Sequence, residues 1–165
     1  MNRMMIVTAC GLSLVLVSGR GSVVAQQGGS SSSHVMSTPA ELNWGEAPPA
    51  LPKGAKLVVL SGDPGKSGPF AVRLRLPAGY RIAPHWHPTD EHVTVVSGTF
   101  SMGMGEKFDA KVLKTLPAGG YALMPAEARH YAMTRGGATV QVHGTGPFVL
   151  NYVNPADDPR KAAAK

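Results

Sequence analysis

Two histidines and one glutamate lie close together near the middle of the chain, with a spacing that suits a divalent metal ion. They are His85, His87 and Glu91, at the end of the segment Gly79-Tyr80-Arg81-Ile82-Ala83-Pro84-His85-Trp86-His87-Pro88-Thr89-Asp90-Glu91. On a helix, residues two apart would point in nearly opposite directions, and Pro84 and Pro88 disfavour a helix here in any case. On a strand, His85 and His87 share one face, with their side chains starting roughly 7 Å apart. The spacing therefore predicts that one strand presents both histidines.

The residues after His87 favour a turn that brings Glu91 back toward the two histidines. Pro88-Thr89-Asp90 is typical of a turn, and Glu91 opens the apolar run His92-Val93-Thr94-Val95-Val96. Three candidate ligands thus come from one hairpin. His92 follows Glu91 directly, so strand alternation turns it to the opposite face, where we expect a surface or subunit-contact role.

A second segment further along the chain supplies another histidine. It reads Gly119-Gly120-Tyr121-Ala122-Leu123-Met124-Pro125-Ala126-Glu127-Ala128-Arg129-His130. The two segments together resemble the two sequence motifs of the cupin superfamily. The first, which closes at Gly98, matches at every defining position, and the second matches at Gly119, Pro125 and His130.

The second motif departs from the family pattern at two positions. Glu127 stands where the family usually has a glycine. A glycine there tolerates a positive φ, so the glutamate puts the geometry of the turn between Pro125 and His130 in question. Thr134 stands where the family usually has an asparagine, so an amide that could support a ligand is missing. Neither change removes a candidate ligand.

The resemblance, which covers roughly residues 54–152, implies that His85, His87, Glu91 and His130 coordinate one divalent metal ion. Three neutral imidazoles and a carboxylate suit Fe, Mn, Ni, Cu or Zn, and the sequence does not choose among them. Four protein ligands on an ion that accepts five or six leave room for water, dioxygen or substrate. Glu91 would then be both a ligand and a catalytic proton acceptor.

Other polar residues are weaker candidates. His143 shares a strand face with Gln141, and the two would touch a substrate if that face lines a barrel and solvent if it does not. Tyr121 and Tyr152 are unranked candidates for donating a proton or orienting dioxygen. His34 lies in a serine-rich tract and is expected to be part of a linker.

Short strands separated by Gly and Pro turns predict an all-β fold. The expected strands are residues 56–60, 70–76, 99–104, 121–124, 130–134, 139–143 and 148–152, beside the ligand hairpin. Residues 108–115 are expected to form one or two helical turns. The resemblance narrows the fold to a cupin double-stranded β-helix, a jelly-roll barrel, with a short N-terminal arm and at most one short helix.

The chain divides into four predicted parts. Residues 1–25 have the pattern of a signal peptide, with Arg3, an apolar run over 4–17 and Val23-Val24-Ala25 before the cleavage point. Residues 26–40 are expected to be a flexible linker, 41–154 the cupin domain and 155–165 a C-terminal tail. We therefore expect a periplasmic or secreted protein with no stable membrane insertion after removal of the leader, because the apolar run is too short to span a bilayer.

Composition limits the chemistry. Cys10, the one cysteine, would leave with the leader, so any metal must be held by nitrogen and oxygen atoms. The net charge of +6 is modest, the basic residues are scattered and the aromatic residues are few, which argues against nucleic-acid binding. We expect a small-molecule substrate, and the arm over 41–52 leaves a homodimer open.

Three functions remain open from the sequence. The first is an exported metal-dependent oxidoreductase resembling cupin dioxygenases such as quercetin dioxygenase. The alternatives are a non-redox metal-dependent lyase or isomerase and a non-catalytic protein that binds a metal or a small molecule. The resemblance extends to cupins of cytoplasmic anti-sigma factors, but the predicted leader and the lack of a recognised partner domain argue against that role.

Overall fold

Ten β-strands form nearly all of the regular structure in the part of the chain that the structure describes. The computed structural model describes residues 34–162, so the predicted signal peptide at 1–25 and most of the predicted linker lie outside the described residues. The strands are β1 (Gly45–Glu46), β2 (Lys56–Ser61), β3 (Gly68–Leu76), β4 (Arg81–Trp86), β5 (Glu91–Met104), β6 (Lys114–Pro117), β7 (Tyr121–Met124), β8 (His130–Met133), β9 (Ala138–Gly146) and β10 (Asn151–Tyr152). The other regular elements of the described residues are two single 3₁₀ turns, Pro39–Glu41 and Pro155–Asp157, and the short helix α1 (Pro159–Ala162). The predicted all-β fold is confirmed.

The strands pair antiparallel in two sheets that share β5. The first sheet has the order β1-β2-β3-β9-β5-β7, and the second has the order β10-β4-β8-β5-β6. The first part of β5 belongs to the first sheet and its last part to the second. This sharing joins the sheets into a curled barrel whose inner faces form one core.

The predicted separation between a ligand hairpin strand and a strand at 99–104 is wrong, because β5 runs unbroken from Glu91 to Met104. It changes sheets near Gly98, where φ is +74° and the pairing with β9 shifts register between Val95 and Ser97. A Cβ at Gly98 would collide with the carbonyl oxygen of Gly137. Glycine is therefore required at the corner by both conformation and space.

In β3 and β9, side chains alternate between the inner and the outer face of the sheet, and the inner ones form part of the core. The inward residues Val72 and Leu74 of β3 and Val140 and Val142 of β9 are buried. On the outer face, Arg73 of β3 donates a hydrogen bond to Gln141 of β9 at 3.2 Å. Such an alternation is what a sheet with one solvated face requires.

Two further predictions about elements are wrong. Residues 108–115 form no helix: Lys111 N donates to the Asp109 carboxylate in a turn at 2.8 Å, and the segment then continues into β6, where Leu116 pairs with Phe100 of β5. Pairing with a sheet edge overrides the weak helical signal. The strand expected at 148–152 is reduced to the two residues of β10, which pair with β4.

The N-terminal arm lies against the barrel. Its strand β1 pairs with β2, and the hydroxyl groups of two barrel tyrosines bind the residues that follow. Tyr152 donates to Ala50 O at 2.8 Å and Tyr80 donates to Pro52 O at 2.6 Å. Burial raises the pKa of Tyr152 to about 12 and that of Tyr80 further, so both phenols remain protonated donors. Across the described range 34–162, no helix has the length and hydropathy needed to cross a membrane.

Candidate metal centre

Strands of both sheets bring the predicted ligands together, because β4 and β8 belong to the second sheet and the start of β5 belongs to the first. His85 is near the end of β4, His87 follows that strand directly, Glu91 opens β5 and His130 opens β8. His85 and His130 are direct cross-strand partners. The side chains are buried, with exposed fractions of 3%, 3%, 8% and 1% for His85, His87, Glu91 and His130. The structure therefore gathers all four residues in one interior cluster.

The distances within the cluster are those of a site that could hold a metal ion. One ring nitrogen from each of the three histidines lies within 4.8 Å of those of the other two. The Oε2 atom of Glu91 lies 3.1 Å from His130 Nε2 and 3.8 Å from His87 Nε2. Nitrogens bound to one ion at about 2.1 Å lie about 3–4 Å apart, so small side-chain movements would complete a shell.

Backbone carbonyl groups fix the orientation of each imidazole. The Nδ1–H groups of His85, His87 and His130 donate to the carbonyl oxygens of Ala83, Val149 and Ala128 at 2.8, 2.8 and 2.9 Å. Because a carbonyl oxygen only accepts, the proton in each ring must be on Nδ1. The lone pair is then on Nε2, which points into the cluster. This is the support that metal-binding histidines usually have.

This arrangement leaves lone pairs facing one another. The Nε2 atoms of His87 and His130 are buried and have no hydrogen-bond partner among the described residues. His130 Nε2 faces a carboxylate oxygen of Glu91 at 3.1 Å. Two acceptors at that distance require a cation between them, and a single proton cannot serve both histidines. A divalent metal can serve both, so the residues present fit a metal ion.

The protonation states also suit metal binding. Burial, reinforced by the neighbouring His130, lowers the pKa of His85 from 6.5 to about 3, and burial likewise lowers the pKa of His87. Burial alone would raise the pKa of Glu91, but the contact with His130 and the charge of the imidazoles outweigh it, so the net pKa is lowered. Near neutral pH, His85 and His87 therefore offer neutral imidazole nitrogens and Glu91 offers an ionised carboxylate.

The turn that the sequence left in question is formed without glycine. Glu127 adopts a φ of +63°, and it is the one non-glycine residue within 34–162 with a positive φ. Its N–H donates to the carbonyl oxygen of His87 at 2.7 Å, and Ala126 N donates to the Asp90 carboxylate at 2.8 Å. The two ligand segments are therefore connected directly by hydrogen bonds.

Thr134 does not replace the missing amide. Its side chain is 1% exposed, and its hydroxyl oxygen has no hydrogen-bond partner in the described structure. Only its backbone N–H is paired, with Tyr80 O at 2.9 Å. The departure at this position therefore leaves a buried hydroxyl group rather than a second support for a ligand.

A cavity of about 280 Å³ adjoins the cluster and includes His85, His87 and Glu91 in its wall. The rest of the wall is apolar, with Leu51 from the arm, Leu57 from β2 and Phe148 before β10. The ring of Phe148 stacks on His87 at a centroid distance of 4.1 Å. Sequence reasoning did not identify the contributions of the arm and of Phe148, because they arise from packing of distant segments. The one sequence signal was the apolar, proline-rich character of the arm.

The remaining candidates separate into two places. Tyr152 pairs with His85 across the strands, and their rings lie 6.2 Å apart, but its hydroxyl group is bound to the arm. His92, His143 and Tyr121 lie on the outer face of the first sheet: the two imidazoles stack at 4.7 Å, and Tyr121 contacts His92 Nδ1 at 2.7 Å. They are therefore excluded from the cavity, as alternation predicted for His92.

Comparisons with solved structures support the same fold. A polyketide cyclase, RemF from Streptomyces resistomycificus, aligns with a TM-score of 0.62 at 14% identity, covering 81% of this chain and 94% of that chain. A proposed acetylacetone dioxygenase from Methylibium petroleiphilum PM1 aligns with a TM-score of 0.58 at 23% identity, covering 77% and 85%. An RmlC-like cupin from Shewanella frigidimarina NCIMB 400 aligns with a TM-score of 0.54 at 19% identity, covering 68% and 91%. At these identities the likeness concerns the fold.

The sequence itself gives a firmer assignment. No curated protein matches the chain. The family described as the ChrR cupin-like domain matches residues 32–149, which include both ligand segments and nearly the whole barrel. The cupin resemblance noted in the sequence is thereby confirmed, and the chain belongs to the ChrR cupin-like domain family of the cupin superfamily.

Proposed function

We propose that this protein is an exported metal-dependent oxidoreductase of the dioxygenase type that acts on a small organic molecule. The observation that carries the proposal is the convergence of three oriented Nε2 atoms and one carboxylate at the wall of an apolar cavity. In this proposal His85, His87, Glu91 and His130 hold one divalent metal ion. Fe, Mn, Ni, Cu and Zn all fit this donor set.

A bound redox-active ion would supply the site at which substrate and dioxygen are brought together. The chain itself does three things. The backbone carbonyl groups orient the imidazoles, the apolar wall offers water few hydrogen-bond partners, and Glu91 would balance part of the charge of the ion. Its carboxylate also lies beside the cavity, where it can accept a proton from a substrate carbon or hydroxyl group.

The composition of the wall favours oxidation over acid–base chemistry. Apart from the candidate ligands, the cavity wall formed by residues 34–162 has no side chain that transfers protons near neutral pH. A lyase or isomerase usually needs such a second group. A dioxygenase reaction needs none and balances without a reductant, because both atoms of dioxygen enter the substrate.

A non-redox reaction remains the second candidate, because Glu91 alone could serve as a base beside a metal ion. The polyketide cyclase among the structural neighbours has this fold, and its activity is named there without a redox step. A protein that only binds a metal or a small molecule is the third. Dioxygen consumption separates the first candidate from the other two.

The test is dioxygen uptake by protein loaded separately with Fe(II), Mn(II), Ni(II), Cu(II) or Zn(II). The panel contains aromatic, enediol and β-dicarbonyl compounds. We expect substrate-dependent uptake with at least one redox-active metal and none with Zn(II), which has no redox chemistry. The double variant H85A/H130A is the matched control and should be inactive. Stoichiometric metal without uptake across the panel would contradict the oxidoreductase proposal and favour the other two functions.

A further inference from the structure

We infer that the cavity selects a neutral, predominantly apolar small molecule that reaches the metal centre through neighbouring oxygen donors. This inference rests on the proposed function only in requiring a metal ion at the cluster. It goes beyond the proposed function because it excludes sugars, phosphorylated compounds and polycarboxylates as substrates.

The charge of the wall is the first argument. Within the described residues, the cavity has no lysine or arginine in its wall, and its ionisable groups are His85, His87 and Glu91. All three lie at one end, at the cluster. An ionised group elsewhere on a ligand would lose its hydration without gaining a partner, which costs several kcal/mol or more. A metal ion at the cluster could neutralise one end of a ligand and no more.

The hydrogen-bonding capacity of the wall is the second argument. Several backbone carbonyl groups of the wall residues already have donors: Ala50 O accepts from the Tyr152 hydroxyl group at 2.8 Å, and Pro48 O accepts from Leu51 N at 2.9 Å. The Pro64 carbonyl accepts from Phe148 N at 2.7 Å. A hydroxyl-rich ligand would therefore find few free partners and would be bound weakly.

The shape and side chains of the wall are the third argument. Phe70 and Phe148 meet at a centroid distance of 5.1 Å, and Leu51, Leu57 and Val72 are also part of the wall. A volume of about 280 Å³ is at the small end of ligand pockets. Such a wall suits a short aliphatic chain or a single aromatic ring, attached to the oxygen donors that reach the cluster.

The test compares two probes that form the same six-membered chelate ring through two oxygen atoms. Benzoylacetone is neutral and carries a phenyl group, whereas malonate carries two negative charges and no apolar group. Binding is measured by calorimetry on the full chain loaded with Zn(II), so that no redox turnover occurs and the result does not depend on oxygen chemistry. We expect benzoylacetone to bind at least tenfold more tightly, and each apolar methylene added to an alkyl β-diketone to increase affinity about fourfold until the cavity is full.

A pair of variants on β2 tests the wall directly. Leu57 is part of the cavity wall, whereas Val59, two residues further along the same strand, is exposed outside it. Leu57→Lys should shift the preference toward malonate at least tenfold, because it places an ammonium group beside the cavity. Val59→Lys adds the same charge to the same strand and should leave the preference unchanged. If Leu57→Lys does not fold, the two probes on the unmodified protein still decide the question.

The outcomes separate the inference from the proposed function. Stoichiometric zinc with malonate bound as tightly as benzoylacetone, or with neither probe bound, would overturn the inference and leave the metal centre standing. A chain that takes up none of Fe, Mn, Ni, Cu and Zn would contradict the proposed function itself. Preference for benzoylacetone together with the expected shift in Leu57→Lys would support the inference.

Discussion

The buried imidazole of His85 makes the stability of the metal-free protein depend on pH. Its pKa lies at about 3 in the folded protein against 6.5 in an unfolded chain, so the unfolded chain binds more protons in the interval between these values. The contribution of His85 to the free energy of unfolding is therefore fully present above pH 6.5 and is lost as the pH falls toward 3. The slope for one such group is about 1.4 kcal/mol per pH unit.

Urea unfolding of the metal-free protein between pH 7.5 and 4.5 measures this loss. His85→Gln should flatten the dependence by about one proton, because it removes the group that must be kept neutral. His34→Gln, at an exposed position before the domain, should leave the dependence unchanged. An equal slope in His85→Gln and in the unmodified protein would contradict this assignment of the pKa.

Glu127 is the residue where backbone strain is concentrated in the second ligand segment. Its φ of +63° is left-handed, a conformation that costs a residue with a Cβ about 1 kcal/mol or more. Glu127→Gly should therefore stabilise the protein by about 0.5–1 kcal/mol, after the larger entropy of glycine in the unfolded chain is subtracted. Ala126→Gly is the matched control in the same turn and should destabilise by a similar amount. Denaturant unfolding measures the change in the free energy of unfolding of both variants. Changes of the same sign in the two variants would show that the turn is not strained.

Among the elements, β5 is the strand whose backbone is most constrained, because it belongs to both sheets and changes from one to the other near Gly98. Gly98→Ala should destabilise the protein by about 2 kcal/mol or more, because the added methyl group meets the Gly137 carbonyl and φ is positive. Gly136→Ala is the control, since a Cβ there has no neighbour within 4 Å, and it should change stability by less than about 0.5 kcal/mol. Thermal unfolding gives both values, and a tolerated Gly98→Ala would refute the account of the corner.

The elements that the sequence predicts well are those whose signal is local. Alternation in β3 and β9 indicates strands because the solvated and buried faces follow a period of two. The segment 108–115 misleads because its weak helical propensity is overridden by pairing of β6 with β5. The unbroken course of β5 was also missed, since a glycine inside a strand resembles a turn until the other sheet is known.

In the candidate site, too, the residues with a local sequence signal were predicted and those that depend on tertiary packing were not. The spacing of His85, His87 and Glu91 predicts that they lie close together on one hairpin. The structure brings them together, but the predicted hairpin is wrong, because β4 and β5 are not paired and β8 lies between them in the sheet. His130 lies far along the chain, and only the family resemblance connected it to the others. The arm, Phe148 and the carbonyl groups that orient the imidazoles follow from tertiary packing, which no local pattern encodes.

At the scale of the whole described domain, residues 34–162, a barrel of two sheets holds the cluster beside an apolar cavity, and residues of the N-terminal arm form part of the wall of that cavity. The cluster contains three lone pairs and a carboxylate without enough protons to separate them. A protein folded around such a group should bind a cation tightly, because the cost of burying those acceptors is otherwise not offset.

The most direct test of the candidate metal centre is the metal content of the protein, measured by elemental analysis after purification from its native cells without affinity-tag metals. We predict close to one equivalent of Fe, Mn, Ni, Cu or Zn per chain, and a loss of nearly all of it in H85A/H130A while circular dichroism still reports the β-fold. A folded, unmodified chain without metal that also fails to take up added metal would contradict the account. Retention of a full equivalent by the double variant would contradict it equally.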